Sequence, residues 1–186
     1  MLLVLRFLPT VCYGMMGVLI PLLIHRIAGH KTTVALYGTA SLVAASTAQL
    51  VAGRAADRLG RRWPTLLSFG MLIAAAIGLG LFSQRLWGVI AFGVLANSAA
   101  WALSALMFCL VADGVPKEEH GRVLGLLHGI WSLGMVAGAM LGGGLMAVAP
   151  GLPFLVAALL NVGSLFILLA FLARVRVRPP SGPVPG

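Results

Sequence analysis

The chain has few charged residues for its length. Of its 186 residues only four are acidic and 13 are Lys or Arg, whereas 60% are hydrophobic. Soluble domains carry roughly 25% charged residues, because their surface must be polar. A soluble globular protein is therefore excluded, and the composition predicts a chain that is surrounded by lipid.

The sequence also lacks the residues that several functional classes require. Its two cysteines, Cys12 and Cys109, lie within apolar segments, so neither a disulfide framework nor a metal site is predicted. The basic residues form short clusters without interleaved aromatic residues, which argues against a nucleic-acid partner. There is no Gly-x-Ser-Gly turn of a rhomboid-like protease and no Asn-Pro-Ala pair of an aquaporin-type channel. We expect neither an enzyme nor a cofactor.

Six long segments contain no Asp, Glu, Lys or Arg. Each is close to or longer than the about 20 residues that cross a hydrocarbon core of ~30 Å as a helix. These segments are 7–24, 34–51, 65–82, 86–111, 123–148 and 152–173. Helices are favoured over a β-barrel because the apolar residues are continuous and do not alternate with polar ones. The sequence therefore predicts an all-α membrane protein in which residues 1–173 form a six-helix bundle with no charged residue inside a span.

The basic residues are divided unequally between the two sides of the predicted membrane. One side holds Arg6, Arg54, Arg58, Arg61, Arg62, Lys117, Arg122, Arg174, Arg176 and Arg178. The other side holds Arg26, Lys31 and Arg85. The positive-inside rule makes the richer side cytoplasmic. We therefore expect a multi-pass protein of the bacterial inner membrane or a plasma membrane, with both termini in the cytoplasm and a basic, Pro/Gly-rich tail over residues 174–186.

The loop after the second predicted helix carries a specific motif. Residues 53–62 read GRAADRLGRR. This pattern of Gly, three residues, Asp, basic, any residue, Gly, basic, basic resembles the loop signature of the major facilitator superfamily. The resemblance implies one six-helix half, built as a 3+3 inverted repeat, of a secondary transporter that moves a small solute by alternating access. Efflux of a drug or metabolite is one activity that it implies.

A second charged loop follows the fourth predicted helix. It resembles the family's shorter Pro…Arg-Gly loop, although the order here is Gly121-Arg122. In the family the two loops help to hold one conformational state, so the resemblance implies a conformational latch. Its predicted members are Gly53, Asp57, Arg58, Gly60, Arg61, Arg62, Asp113 and Arg122. Gly60 is expected to allow a tight turn. The alternative is that these are only solvated loop charges.

Polar and aromatic side chains within the spans are the candidates for substrate binding. In the family the first and fourth helices of each half line the central cavity, so the resemblance implies Tyr13, Asn97 and Trp101 as contacts. His128, with Trp131 one turn further on, is also a candidate because histidine changes charge near neutral pH. For each residue, packing or a hydrogen bond between helices is the alternative.

Small residues recur every fourth position in two of the predicted helices. The fifth helix has Gly134, Gly138 and Gly142, and the third has Gly70, Ala74 and Gly78. In lipid, such residues let helices approach closely. We expect both stripes to lie at helix–helix contacts.

One bundle of six helices is half of what the family usually has around one cavity. The resemblance therefore implies a second six-helix half or a homodimer as a partner, in addition to the small-molecule solute and the lipid bilayer. The chain begins in an apolar stretch and ends soon after the sixth helix, which favours a fragment or a C-terminal half, whereas in the family the loop signature is often best preserved in N-terminal halves, so which half this is stays open. A half-sized protein that only assembles with or regulates other membrane proteins is the alternative.

Overall fold

The computed structural model describes the backbone of residues 2–175 and the side chains of residues 6–109 and 115–170. Its helices are α1 Leu2–Ala28, α2 Lys31–Leu59, α3 Arg62–Phe82, α4 Leu86–Gly114, α5 His120–Val148 and α6 Leu152–Val175, with a 3-10 turn at Lys117–Glu119. Six helices in this part of the chain are long and apolar enough to cross a membrane, which confirms the predicted six-helix bundle. The predicted tail, residues 174–186, lies outside the described residues except where it overlaps the end of α6.

Two of the connections between helices turn at a glycine. Gly29 follows α1 with φ 73°, and Gly60 follows α2 with φ 75°. Backbone with positive φ is strained for residues that have a Cβ, so glycine allows the chain to leave the helix within one or two residues. The tight turn predicted at Gly60 is confirmed.

The two halves of the bundle, α1–α3 and α4–α6, pack against each other in the same way. α1 packs on α5 as α4 packs on α2, and α3 packs on α4 as α6 packs on α1. α1 also contacts α4, and α3 contacts α6. Because each repeat has an odd number of spans, the second repeat crosses the membrane in the opposite direction to the first. This is the expected 3+3 inverted repeat.

α1 lies at the centre of the bundle, and α2 and α5 lie at its periphery. Of the apolar window of α1, 61% is buried, compared with 17% for each of α2 and α5. The main apolar core forms where α1, α3, α4 and α6 meet, around residues such as Met15, Leu72 and Phe154. Leu36 and Leu133 are examples of large apolar side chains on the exposed faces of α2 and α5. Such faces suit contact with lipid or with another apolar chain.

The glycines of α5 form its contact with α1. Gly134, Gly138 and Gly142 are all buried. A Cβ added at Gly138 would collide with the backbone carbonyl of Val11, and one added at Gly14 of α1 would collide with the backbone carbonyl of Met135. The prediction that this stripe lies at a helix contact is confirmed.

The small residues of α3 do not form a comparable stripe. Gly78 is buried against the ring of Phe92, but a Cβ added at Gly70 would meet no atom of another part of the chain within 4 Å, and Ala74 is exposed. The predicted contact is therefore wrong for Gly70 and Ala74. The face of α3 that packs into the bundle at this level carries Phe69 and Leu72. Gly70 and Ala74 lie on the opposite, exposed face.

Among the described side chains, one basic residue is buried inside the bundle, contrary to expectation. Arg6 is in the second turn of α1, and its side chain is only 8% exposed. Sequence reasoning placed Arg6 before the first span because the uncharged segment begins at Phe7. The helix begins at Leu2 instead, so Arg6 belongs to it and faces α4, where Ser104 contacts it.

Candidate functional site

A cavity of about 210 Å³ lies between α1, α2, α4 and α5. Its lining comes from the first half of α1 and the second half of α4, so it lies in the half of the bundle nearer the end at which α1 begins and α6 ends, here called the terminal end. Four of the five predicted substrate contacts line it, namely Tyr13, Trp101, His128 and Trp131. A largely apolar cavity with a few converging polar groups is the usual form of a small-molecule site.

Hydrogen bonds connect the residues at the inner end of the cavity. Trp101 Nε1 donates to the hydroxyl of Tyr13 over 3.0 Å, and that hydroxyl donates to Asn97 Oδ1 over 2.9 Å. Asn97 Nδ2 in turn donates to the carbonyl of Ser41 over 3.1 Å. The chain of bonds joins α4, α1 and α2, and it satisfies polar groups at a depth where water is scarce.

The structure separates Asn97 from the other candidates. Asn97 borders a small space of about 20 Å³ that also includes Tyr13 and Tyr37, and it is not part of the lining of the large cavity. Its contact with that cavity is through the hydroxyl of Tyr13. Asn97 is therefore placed to fix the orientation of the Tyr13 ring.

His128 and Trp131 form the α5 side of the cavity. Their rings lie 5.1 Å apart between centroids and are tilted by 30°. The spacing follows from their positions one turn apart on the same face of the helix. Together with Trp101 and Tyr13 they give the cavity aromatic walls on three helices.

Arg6 and Ser104 form the outer end of the cavity, and sequence reasoning missed Arg6. Arg6 Nη1 donates to Ser104 Oγ over 3.3 Å. Ser104 lies seven residues after Asn97 and three after Trp101, so the polar face of α4 already pointed to it. A signal for Arg6 was also present, since a charge one residue outside an uncharged segment commonly falls inside the helix. Gln49 of α2 also lines the cavity.

The motif loop lies at the terminal end of the bundle. Asp57 and Arg58, in the last turn of α2, are exposed, as are Gly60 and Arg62. Arg61 is half-buried, and its guanidinium donates a hydrogen bond to the carbonyl of Cys109 near the end of α4. The loop is therefore fastened to the helix that precedes the second charged loop.

The remaining predicted latch residues are distributed around this loop. Gly53 is half-buried within α2, and Arg122 is exposed in the first turn of α5. The side chain of Asp113 lies outside the described residues. Among the side chains that are described, the structure thus brings Arg61 against α4 and leaves Asp57 and Arg122 open to the surroundings.

These features define the class of the protein. Six helices of spanning length, arranged as two inverted three-helix repeats beside a cavity, form a multi-pass membrane protein with the architecture of secondary transporters. The chain belongs to the Major Facilitator Superfamily, whose family model matches residues 2–186. The family predicted from the loop motif is confirmed.

The curated relatives of the chain include several tetracycline resistance proteins. It is 33% identical to the class B protein of Escherichia coli over 119 residues. The match covers 63% of this chain and 29% of that protein. The class E protein of Escherichia coli is 30% identical over 177 residues, covering 90% of this chain and 43% of that protein. The class H protein of Pasteurella multocida is 28% identical over 180 residues, covering 95% of this chain and 44% of that protein.

The chain spans less than half the length of these relatives. No solved structure matches it. The family and the relatives support a function in membrane transport, and they favour a transporter over an enzyme.

Proposed function

We propose that the chain forms one six-helix half of a secondary transporter that exports a small amphipathic solute by alternating access. The observation that carries the proposal is the cavity between α1, α2, α4 and α5 with its aromatic walls. Tyr13, Trp101 and Trp131 offer flat apolar surfaces, and the Tyr13 hydroxyl offers a polar group between them. Because the relatives are named for tetracycline resistance, a polycyclic drug such as tetracycline is the first solute to test.

The cavity needs a second bundle to become a closed transport pathway. A second half or a second copy of the chain would cover its open side, and rocking of the two bundles would expose the solute to one side of the membrane and then the other. The exposed faces of α2 and α5 provide apolar surface for such a partner. The solute favours whichever state binds it more tightly, which couples binding to the motion.

The charged loops at the terminal end are the proposed latch of this motion. Arg61 already ties the motif loop to α4, and Asp57 and Arg122 are exposed where a partner bundle would approach. Exposed charges of opposite sign can pair when two surfaces close and separate when they open. In this proposal the terminal end is cytoplasmic, in agreement with the distribution of basic residues.

Transport by everted membrane vesicles tests the proposed function. Vesicles from cells that produce the chain together with its second six-helix half, or as an assembled dimer, should accumulate tetracycline when energised, and Trp101→Ala should reduce the initial rate several-fold because it removes an aromatic wall. Trp87→Ala is the matched control, since Trp87 is 56% exposed on α4 and does not line the cavity. Equal rates for Trp101→Ala and Trp87→Ala, or no accumulation above vesicles without the chain, would contradict the proposal.

A further inference from the structure

Arg6 is a buried cation at the outer end of the cavity. Its side chain is 8% exposed, and Ser104 Oγ accepts a hydrogen bond from Nη1 over 3.3 Å. Arg6 Nε is buried and has no hydrogen-bond partner among the described residues. A guanidinium has five N–H donors in a planar fork, so one neutral hydroxyl leaves most of its donor capacity unused.

The described part of the chain provides no anion for Arg6. The acidic side chains that it includes are Asp57, Glu118 and Glu119, and all three are exposed in or beside the loops. Charged groups inside a span are costly unless they are paired, and they commonly mark the route of a substrate or ion. The unpartnered donor of Arg6 therefore points to an acceptor that the described residues do not supply.

We propose that Arg6 and Ser104 form an anion-binding subsite and that the transported solute carries a carboxylate or a similar anionic oxygen group on an aromatic body. This inference rests on the proposed function, because the subsite lies in the same cavity. The fork of a guanidinium matches the two oxygens of a carboxylate, which a point charge does not. The Ser104 hydroxyl adds a second donor or acceptor beside it.

The spacing of the residues sets the size of the solute. Trp101 lies three residues before Ser104 on α4, a rise of about 4.5 Å, and Tyr13 lies seven residues after Arg6 on α1, a rise of about 10 Å. An anionic group at Arg6 would therefore place an attached body of two or three fused rings beside Trp101 and Tyr13. The cavity thus has a charged outer end and an aromatic inner end.

Two matched probes test the subsite. 2-Naphthoate and 2-naphthamide have the same ring system, but only the first is an anion at neutral pH. Saturable binding to the purified chain in phosphatidylcholine nanodiscs is measured by equilibrium dialysis, with empty discs as the blank. The native chain should bind naphthoate about tenfold more tightly than naphthamide, since a hydrogen bond to a charged group is stronger than one between neutral groups.

Variants assign the preference to Arg6. In Arg6→Gln the preference for naphthoate should disappear, in Arg6→Lys it should be partly restored, and in Arg54→Gln it should be unchanged because Arg54 is an exposed arginine outside the cavity. Thermal unfolding of each variant shows whether it is folded, and Arg6→Lys keeps the test valid should Arg6→Gln unfold. Equal binding of the two probes by the native chain, or an undiminished preference in Arg6→Gln, would overturn the subsite.

The same measurement separates this inference from the proposed function. If both probes bind equally and Trp101→Ala weakens both, the cavity remains the binding site and the anion subsite is wrong. If neither probe binds saturably, the cavity itself is not a solute site. A lipid headgroup has the same anionic chemistry, so the assay is repeated with phosphatidylglycerol in the discs. Loss of naphthoate binding there would assign Arg6 to lipid and overturn the solute assignment.

Discussion

The hydroxyl of Tyr13 occupies a position where three helices exchange hydrogen bonds. It accepts from Trp101 and donates to Asn97, which donates to the Ser41 carbonyl. Hydrogen bonds between membrane helices contribute about 0.6 kcal/mol each on average, so the chain of three is worth ~2 kcal/mol. Its larger effect is on geometry, since it holds the Tyr13 ring in one orientation at the inner end of the cavity.

The charge of Asp57 should matter for transport and not for folding. Asp57 is exposed at the end of α2, so Asp57→Asn keeps the shape of the side chain and disturbs no packing. We expect a several-fold lower rate of tetracycline accumulation in vesicles, with the same amount of protein in the membrane, because the neutral side chain cannot form an ion pair across the closing surfaces. Glu118→Gln removes an exposed acidic charge at the same end and is the control. An unchanged rate in Asp57→Asn would refute its role in the latch.

The sequence predicts some members of the site and not others for a physical reason. Tyr13 and Trp101 could be found because they are polar or aromatic groups inside uncharged segments of two helices that line cavities in the family. Arg6 could not be found by the same rule, because a charge was taken to mark the end of a span. The partner of each polar group depends on how helices rotate and cross, and single-helix spacing does not contain that information.

At the scale of the helix, the contact between α1 and α5 depends on the absence of side chains. Gly138 lies against the carbonyl of Val11, and Gly14 lies against the backbone of Met135. In lipid, helices associate through packing and hydrogen bonds, since the surrounding chains are as apolar as the side chains. A close backbone approach is therefore what keeps α5, with His128 and Trp131, against the central helix.

A single methyl group at Gly138 should loosen this contact. Gly138→Ala places a Cβ on the Val11 carbonyl, and overpacking of this kind costs about 1–3 kcal/mol. Gly143→Ala is the control, because the added Cβ would meet no atom of another helix within 4 Å. Both changes raise helix propensity equally. Thermal unfolding in detergent should show a lower midpoint for Gly138→Ala only. Equal midpoints for the two variants would show that the glycine contact does not limit stability.

The number and approximate positions of the helices could be predicted from the sequence, whereas their end residues and the faces that they bury could not. Uncharged segments of about 20 residues specify spans by length and hydropathy alone. The observed helices extend beyond those segments, as α2 does from residues 34–51 to Lys31–Leu59, because a helix continues into the interfacial region where exposed charged side chains are tolerated. Gly70 was assigned to the wrong face because a repeat of small residues is necessary for close packing but not sufficient.

At the scale of the molecule, the distribution of loop charges predicts an orientation in the membrane. The basic residues are concentrated at the terminal end, in the motif loop and around the start of α5. The opposite end has Arg26, Lys31 and Arg85. A difference of this kind in short loops determines which side of a membrane protein stays in the cytoplasm.

Labelling of single cysteines tests this orientation. With Cys12 and Cys109 replaced by alanine, Gln84→Cys and Lys117→Cys place exposed thiols at opposite ends of the bundle. A membrane-impermeant maleimide should label the cysteine at position 84 in intact cells and the cysteine at position 117 only after permeabilisation. Labelling of position 117 in intact cells would reverse the assigned topology and move the latch to the outer side.

The guanidinium of Arg6 in the wall of the cavity must be hydrated when no solute is bound. The charged outer end of the cavity retains water, because ordered molecules satisfy groups that the protein leaves without partners. An incoming solute must therefore displace hydration from Arg6 before it gains anything from the aromatic walls. If the proposed transporter returned to its starting conformation without a bound solute, it would carry that water from one side of the membrane to the other.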